Sequence, residues 1–351
     1  MIVHVFTQVS DYSSEFLNML AEAFNADDHV IIFRKKTAWA KPPSVLNIKY
    51  LTTRGDMITQ MPSLLKEADK IVFHSFPVSR SLLFWYQQKK YMVKAVWSVW
   101  GQDAYWFKYC KKNPVNYLYE YIRTRLIRKL DVIFCPIKGD YEYLVSHYQT
   151  RARYINGMYP IPTDFEALVK LRNKKENQDK INIQIGNSAN PTNNTEQVIR
   201  FIAKHKPQNF NVFCPLSYGD MDYANKIIAI GKQELGDHFY PLTNFLDRER
   251  YADFISSVDI LIMNHQRQQG LGNIFSYLFL GKKVYIRSDN SSFEFFENNG
   301  IKVYNTLDLL SSDSLDHLTV PDEDIALSNM SATERLVSRP FIISGWKQIF
   351  N

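Results

Sequence analysis

The sequence predicts an α/β fold of two doubly wound parallel-sheet domains. Two observations predict it. Apolar strand patterns alternate with helical patterns in two successive runs, and a polar, charged stretch, residues 170–180, separates the runs. Such alternation implies parallel strands joined by helical crossovers, and two runs imply two domains facing a cleft.

In the first run, residues 2–6, 29–33, 71–74, 94–99 and 131–135 read as buried strands, with helical segments between them. Phe16, Leu17, Leu20 and Phe24 recur at helical spacing within residues 15–24. A helix over residues 114–130 starts with a capping Asn113 and with Pro114 at its first position. Its apolar positions Val115, Leu118, Ile122, Leu126 and Leu130 form one stripe. In the second run, residues 181–185, 210–214, 259–263 and 284–286 read as strands. Helices are expected near 195–205, 223–235, 248–258, 274–280 and 293–298. The expected division is a first domain over residues 1–165, a linker over 166–180 and a second domain over 181–330, with 331–351 left as a terminal segment.

Composition limits the function classes. With 45% hydrophobic and 22% charged residues the chain is of ordinary globular character. Cys110, Cys135 and Cys214 are too scattered for a disulfide framework or a zinc site, and they suit a reducing compartment. The first residues show no signal-peptide layout, and no run approaches the roughly 18 apolar residues needed to span a bilayer. A net charge of +6 is too mild for a dedicated nucleic-acid binder. The excess gathers in Lys108, Lys111, Lys112, Arg123, Arg125, Arg128 and Lys129, against Glu120 alone, among Tyr109, Tyr117, Tyr119 and Tyr121. Cations interleaved with aromatics suit a helix on an anionic membrane surface, with Lys111, Lys112, Arg123 and Arg128 as its contacts. A core helix with one solvated face has the same composition.

The first glycine is Gly55, so no Gly-x-Gly-x-x-Gly follows the first strand. No Gly-Lys-Ser/Thr occurs either. Both absences argue against a dinucleotide fold at the start of the chain and against a P-loop. Phosphate chemistry is expected instead in Asn264-His-Gln-Arg-Gln-Gln-Gly-Leu-Gly-Asn273, between an apolar strand and a helix. Arg267 supplies a fixed cation, Gly270 and Gly272 expose backbone, and Gln268, Gln269 and Asn273 supply amides; with a helix N-terminus these suit a phosphate. A second polar loop, Gly186-Asn187-Ser188-Ala189-Asn190 with Asn193 behind it, leaves the same sheet edge, as does a third carrying Tyr218. Together they can hold a nucleotide diphosphate. Alternatively the second is a capping turn and Tyr218 a surface tyrosine.

In the first run, Trp100-Gly101-Gln102-Asp103-Ala104-Tyr105 follows a strand. Aromatic faces beside a carboxylate suit a carbohydrate, and Asp103 is placed to take a proton from an attacking hydroxyl. His74, at the end of a neighbouring strand, is the second candidate base. Asp103 as a cap and His74 as a structural histidine are the alternatives. Asp220-x-Asp222 has the spacing some sugar transferases use for a divalent metal, and it equally suits a helix cap.

These blocks resemble one family, the bacterial 4-acetamido-4,6-dideoxygalactosyltransferases (TDP-Fuc4NAc:lipid II Fuc4NAc transferases) of enterobacterial common antigen synthesis. The resemblance runs nearly end to end, through Phe73-His74, Trp100-Gly101-x-Asp103-x-Tyr105, Gly139-Asp140, Gly186-Asn187-Ser188, Asn193, Pro215 with Tyr218, Tyr251, Arg267-Gln268-Gln269-Gly270-x-Gly272, Gly281 and Gly345-Trp346. It implies a GT-B glycosyltransferase with two Rossmann-like domains, the donor in the second, and a last helix that crosses back to the first. It implies a TDP-sugar donor, an undecaprenyl-diphosphate-linked saccharide acceptor and a peripheral place at the cytoplasmic face of the bacterial inner membrane. No cofactor and no metal are implied. Ala189, Asn190 and Asn273 depart from the family pattern beside the donor loops, which leaves room for a related sugar or an O-antigen acceptor.

The expected chemistry is therefore glycosyl transfer. Arg267 and the amides of residues 270–273 would steady the departing diphosphate, and Gly186, Asn187, Ser188, Asn193 and Tyr218 would hold the nucleotide. Trp100, Gly101 and Tyr105 would meet the acceptor, with Asp103, or else His74, as base. A sugar-nucleotide epimerase of the same fold and a non-catalytic sugar-nucleotide-binding protein are the rival readings.

Overall fold

The computed structural model describes residues 1–36, 43–172, 180–205 and 209–351. They form two compact units, one of Met1–Pro162 with Val337–Asn351, the other of Thr163–Leu336. Each is built on a single all-parallel sheet. In the first unit β1 (Ile2–Gln8), β2 (His29–Lys35), β3 (Asn47–Tyr50), β4 (Lys70–His74), β5 (Ala95–Ser98), β6 (Val132–Cys135) and β7 (Arg153–Asn156) lie in the order β3-β2-β1-β4-β5-β6-β7. In the second β8 (Ile181–Ile185), β9 (Phe210–Pro215), β10 (Phe239–Leu242), β11 (Ile260–Met263), β12 (Lys283–Ile286) and β13 (Tyr304–Asn305) lie in the order β10-β9-β8-β11-β12-β13. Ile71, Val72, Phe73, Ile260, Leu261 and Ile262 are fully buried. Their sheets are covered on both faces, which is why such strands read as unbroken apolar runs.

The strand order changes direction between β1 and β4 in the first unit and between β8 and β11 in the second. At such a point the strand-end loops diverge and leave a crevice at the carboxyl edge. This topology puts residues 186–194, after β8, beside residues 264–270, after β11.

Local sequence signals account for several elements. Asn113 caps the helix Pro114–Ile127 by accepting from the Asn116 amide at 2.8 Å. Asp220 accepts from the amides of Asp222 and Tyr223, both at 3.0 Å, and so starts the helix Met221–Leu235. The structure thus gives Asp220 a capping task.

The helix Pro114–Ile127 departs from its expected stripe. Ile122 and Leu126 are buried, as is Leu130 just beyond, whereas Val115 and Leu118 are exposed. The buried face turns instead through Glu120 and Arg123, two charged residues 3.5 Å apart.

The described part of residues 166–180 includes most of a helix, Phe165–Leu171, that belongs to the second unit; its Leu168 is buried and Phe165 meets the Phe279 ring at 4.8 Å. The remainder of the expected linker, residues 173–179, lies outside the described residues. The last helix, Arg339–Phe350, packs in the first unit. A Cβ on Gly345 would stand 3.0 Å from the Cα of Gly157. This close approach seats Trp346, whose ring lies 4.3 Å from Phe134 and whose Nε1 donates to the Met158 carbonyl at 3.2 Å.

Candidate functional site

In the second unit three strand-end loops are knitted together by side-chain amides. Gly186, at φ +66°, donates its N–H to the Ile262 carbonyl at 2.9 Å. The Gln269 amide donates to Asn187 Oδ1 at 3.1 Å and to Asn193 Oδ1, while its carbonyl accepts from Thr192 Oγ1 at 3.0 Å. Asn193 in turn donates to the Ser188 carbonyl at 2.7 Å. The third loop joins through Asn187 Nδ2, 3.3 Å from the Tyr218 hydroxyl. Ala189 and Gly219 form a parallel bridge, and a Cβ on Gly219 would fall 2.5 Å from the Ala189 carbonyl oxygen. Tyr218 itself is 51% exposed.

Gly270 sits at φ +66° and precedes the helix Leu271–Phe279. Having no side chain, it cannot cap, so the amides of Leu271, Gly272 and Asn273 meet no capping group. The helix therefore presents its positive end at the β8/β11 switch point. Arg267 lies just before it, 7% exposed, with a guanidinium N–H on the Gln268 carbonyl at 2.9 Å. Gln268 is buried as well. Burial, and then the charge of Arg267, lower the His265 pKa to about 3, so the imidazole beside the arginine is neutral. Asn273 accepts from the Tyr251 hydroxyl at 3.0 Å. A fixed cation, open helix amides and a rigid amide lattice form a site for an anion carrying a polar, ring-bearing group.

The first unit corrects several expectations. Asp103 is 4% exposed, and its carboxylate accepts from Phe76 N and Trp97 Nε1, both at 2.7 Å, Trp100 N at 3.0 Å and Ala104 N at 3.1 Å. Four donors occupy its lone pairs, which leaves no acceptor position for a substrate proton. Asp103 ties the loop after β4 to the loop after β5, and it is not the base. His74 is also buried, with Nε2 2.9 Å from His4 Nδ1 and Nδ1 3.2 Å from the Tyr159 hydroxyl. Both nitrogens are engaged within the protein, and burial holds the ring's pKa well below the ordinary imidazole value. It does not meet a substrate directly. Tyr105 is buried, donates to Asp140 Oδ1 at 2.7 Å and stacks on Tyr143, so it braces the fold rather than contacting an acceptor. Gly101, buried at φ +84°, makes the turn that brings Asp103 back onto Trp100.

Arg123 is the clearest correction. It is fully buried, donating to the Pro77 carbonyl at 2.5 Å and the Asp103 carbonyl at 2.8 Å, with Glu120 3.5 Å away. A charge so enclosed cannot touch a membrane; Glu120 and the carbonyls replace its water shell. Arg128 donates to the Tyr148 carbonyl at 2.8 Å, and Lys112 lies over the Phe107 ring at 3.6 Å; both stay exposed, as does Lys111.

What remains open at this edge is aromatic. Trp100, 37% exposed, meets Tyr159 at 5.3 Å and Tyr12 at 5.9 Å between ring centroids. Tyr12 and Tyr159 lack the motif context that singled out Trp100; only the fold gathers them.

A family model described as 4-alpha-L-fucosyltransferase, glycosyl transferase group 56, matches residues 13–350. The chain belongs to that family. It is a glycosyltransferase. Its fold matches solved GT-B enzymes over nearly its whole length. Anabaena HepE, solved with UDP and glucose, is 11% identical at a TM-score of 0.69, with 99% of this chain and 97% of that one covered. WaaG, a glycosyltransferase involved in lipopolysaccharide biosynthesis, is 11% identical at a TM-score of 0.57, covering 100% and 94%. Sucrose-phosphate synthase of Thermosynechococcus elongatus is 11% identical at 0.67, covering 99% and 96%. Two parallel-sheet units in GT-B form are thus established for this family member, as is sugar transfer.

Proposed function

We propose that this glycosyltransferase moves a 4-acetamido-4,6-dideoxyhexose from a TDP-sugar to an undecaprenyl-diphosphate-linked saccharide in common-antigen or O-antigen synthesis. The observation that carries the donor half is the uncapped helix N-terminus at the β8/β11 switch point with Arg267 beside it. A nucleoside diphosphate leaving group gathers negative charge as the glycosidic bond breaks. Preorganised N–H groups and a buried cation stabilise that charge without having to reorganise. The Asn187–Gln269–Asn193 lattice fixes the loop backbones, and Tyr218 offers a face to the base. That HepE is solved with UDP-glucose supports a nucleotide-sugar donor here; WaaG's part in lipopolysaccharide biosynthesis supports a surface-glycan product.

The acceptor half rests on the first unit's exposed features. Val115, Tyr117, Leu118 and Tyr121 are exposed along one helix, with Lys108, Lys111 and Arg125 exposed around them. Apolar and aromatic groups among cations suit an anionic membrane surface where a lipid-linked acceptor resides. Among the described residues no helix is long and apolar enough to cross a membrane, so the attachment is peripheral in this reading. Trp100 would meet the acceptor saccharide. The test is transfer from TDP-, UDP- and GDP-sugars, with and without a lipid-linked saccharide. Acceptor-dependent release of TDP supports the reading; product from the sugar nucleotide alone, or preference for UDP- or GDP-sugars, overturns it.

A further inference from the structure

Three histidines lie across the first unit's sheet on adjacent strands. His29 is on β2, His4 on β1 and His74 on β4, and all are buried. Their rings form a single hydrogen-bonded file. His29 Nδ1 is 2.9 Å from His4 Nε2, and His4 Nδ1 is 2.9 Å from His74 Nε2. His74 Nδ1 then stands 3.2 Å from the Tyr159 hydroxyl. The register makes the file diagonal. His29 pairs with Ile2 near the start of β1, and His74 pairs with Phe6 near its end. The file thus climbs from the amino edge of the sheet to the carboxyl edge, where Tyr159 meets Trp100.

Aromatic rings seal it from water. Phe6 stacks on His74 at 3.8 Å, Phe16 lies 5.4 Å from His4 and Phe350 lies 4.9 Å from His29. Burial lowers the pKa of all three histidines, that of His29 to about 4, so each ring is neutral at pH 7. A neutral imidazole has one N–H and one lone pair. In an unbroken file the choice at one ring dictates the next. If His29 carries its proton on Nε2, then His4 and His74 must also carry theirs on Nε2. His74 Nδ1 is then a lone pair, and Tyr159 must donate to it. At the other end a phenol O–H is a stronger donor than a neutral imidazole N–H, and an imidazole nitrogen a stronger acceptor than a phenol oxygen. The 3.2 Å contact between Tyr159 and His74 therefore takes this polarity, and the file holds it, since no ring can reverse alone.

We infer that Tyr159 positions the acceptor in the transfer reaction and that the His29–His4–His74 file holds the polarity of its hydroxyl. With its own proton committed to His74, the phenol oxygen can only accept. An acceptor-sugar hydroxyl that docks on Trp100 and donates to Tyr159 has its lone pairs turned away from the protein, as a nucleophile requires. Asp103, once the favoured base, has no free lone pair for this task. This inference rests on the proposed lipid-linked saccharide acceptor for its kinetics, but not for its structure.

Two measurements test it on the full chain. Imidazole nitrogen NMR at pH 7 should show all three rings neutral with the proton on Nε2. A proton on Nδ1 of His74, or a charged ring, overturns the inference whatever the enzyme's substrate proves to be. Kinetics with a TDP-sugar and a lipid-linked saccharide give the second. Tyr159→Phe should lower kcat/KM for the acceptor about tenfold, the worth of one hydrogen bond near the upper end of the usual range, with KM for the donor unchanged. His4→Phe, which interrupts the file, should do the same, and His4→Gln, which can still accept and donate, should restore most of it. Unchanged acceptor kinetics in Tyr159→Phe would overturn the inference. A wild-type enzyme that ignores this acceptor refutes only the proposed substrate, and the NMR result then decides alone.

Discussion

The two units share an all-parallel sheet and a switch point, yet they furnish its edge with opposite materials. In the second, glycines at positive φ, side-chain amides and an uncapped helix end leave polar groups ready for a ligand. In the first, the polar groups are consumed internally: Asp103 by four donors, His74 by a ring and a phenol, Arg123 by carbonyls and a carboxylate. Aromatic faces are what it leaves open. Topology chooses where a ligand binds, while the unspent chemistry at that place chooses which ligand. A charged nucleotide suits one edge and a saccharide the other.

Two buried arginines make the contrast testable. Arg123→Met would remove the buried cation facing Glu120 and the donor to the Pro77 and Asp103 carbonyls, leaving Glu120 to His147 at 2.7 Å and the Tyr148 hydroxyl at 3.3 Å. Breaking a pair this way costs about 3–5 kcal/mol. Denaturant unfolding of the variant should show a loss of that size, confined to hydrogen-exchange protection in β4, β5 and β6. A loss under 1 kcal/mol would mean that water or Lys side chains replace the pair and that the first unit's edge is less committed than described.

Acid should separate the units next. His4, His29 and His74 belong to the first unit and His265 to the second, and all four have pKa values lowered in the folded state, chiefly by burial. Unfolded histidines take up protons below about pH 6.5, while the buried ones do not, so stability is lost as pH falls below that value. The loss continues until the folded pKa is reached, about 4 for His29 and about 3 for His265. Each fully buried ring contributes about 1.4 kcal/mol per pH unit in that window. Between pH 6.5 and 5.5, where the unfolded rings are still titrating, each costs about 1 kcal/mol, so His4, His29 and His74 together cost the first unit about 3 kcal/mol, roughly three times the second unit's loss to His265. Amide exchange in β1 and β4 should therefore accelerate before that in β8 and β11. The reverse order would show that another group governs acid unfolding.

Arg267 should behave unlike Arg123. Arg267→Ala is expected to cut turnover about a hundredfold, the usual cost of removing one donor from a charge-stabilising site. Its effect should fall on turnover, because it stands beside the helix N-terminus where the leaving diphosphate would gather charge. Near-normal turnover would remove the diphosphate from this loop.

The sequence already showed the interior of both sheets. Residues 2–6, 29–33 and 71–74 read as strands because burial on both faces demands continuous apolar side chains. The strands it did not show are β3, β7, β10 and β13, the outermost strand on each side of each sheet. These are half-wetted segments such as Asn47–Tyr50 and Arg153–Asn156, where one-sided burial removes the signal. The polar loops of the second unit were legible for a related reason: glycines and amides between a strand and a helix have few purposes. The edge of the first unit was not. Asp103 and Tyr105 share a composition with a carbohydrate site, and only tertiary contacts reveal that their polar atoms are used up. Arg123 counted as a surface charge because spacing shows Glu120 one turn before it but not the Pro77 and Asp103 carbonyls that enclose it.

The smallest expected effect concerns the helix Pro114–Ile127, where the same contrast recurs within one element. Its second half is core, with Ile122, Arg123 and Leu126 buried; its first half exposes Val115, Tyr117, Leu118 and Tyr121. If the exposed half meets an anionic bilayer, each neighbouring cation contributes about 1 kcal/mol. Lys108→Gln and Lys111→Gln should then each weaken binding to phosphatidylglycerol vesicles about fivefold, an effect lost at high salt because exposed charges are screened. Leu118→Ser should weaken it at any salt, since buried apolar area is not screened. Salt-insensitive binding in all three variants would detach this helix from the membrane. The cations would then be a solvated face, and the acceptor would have to reach Trp100 by another surface.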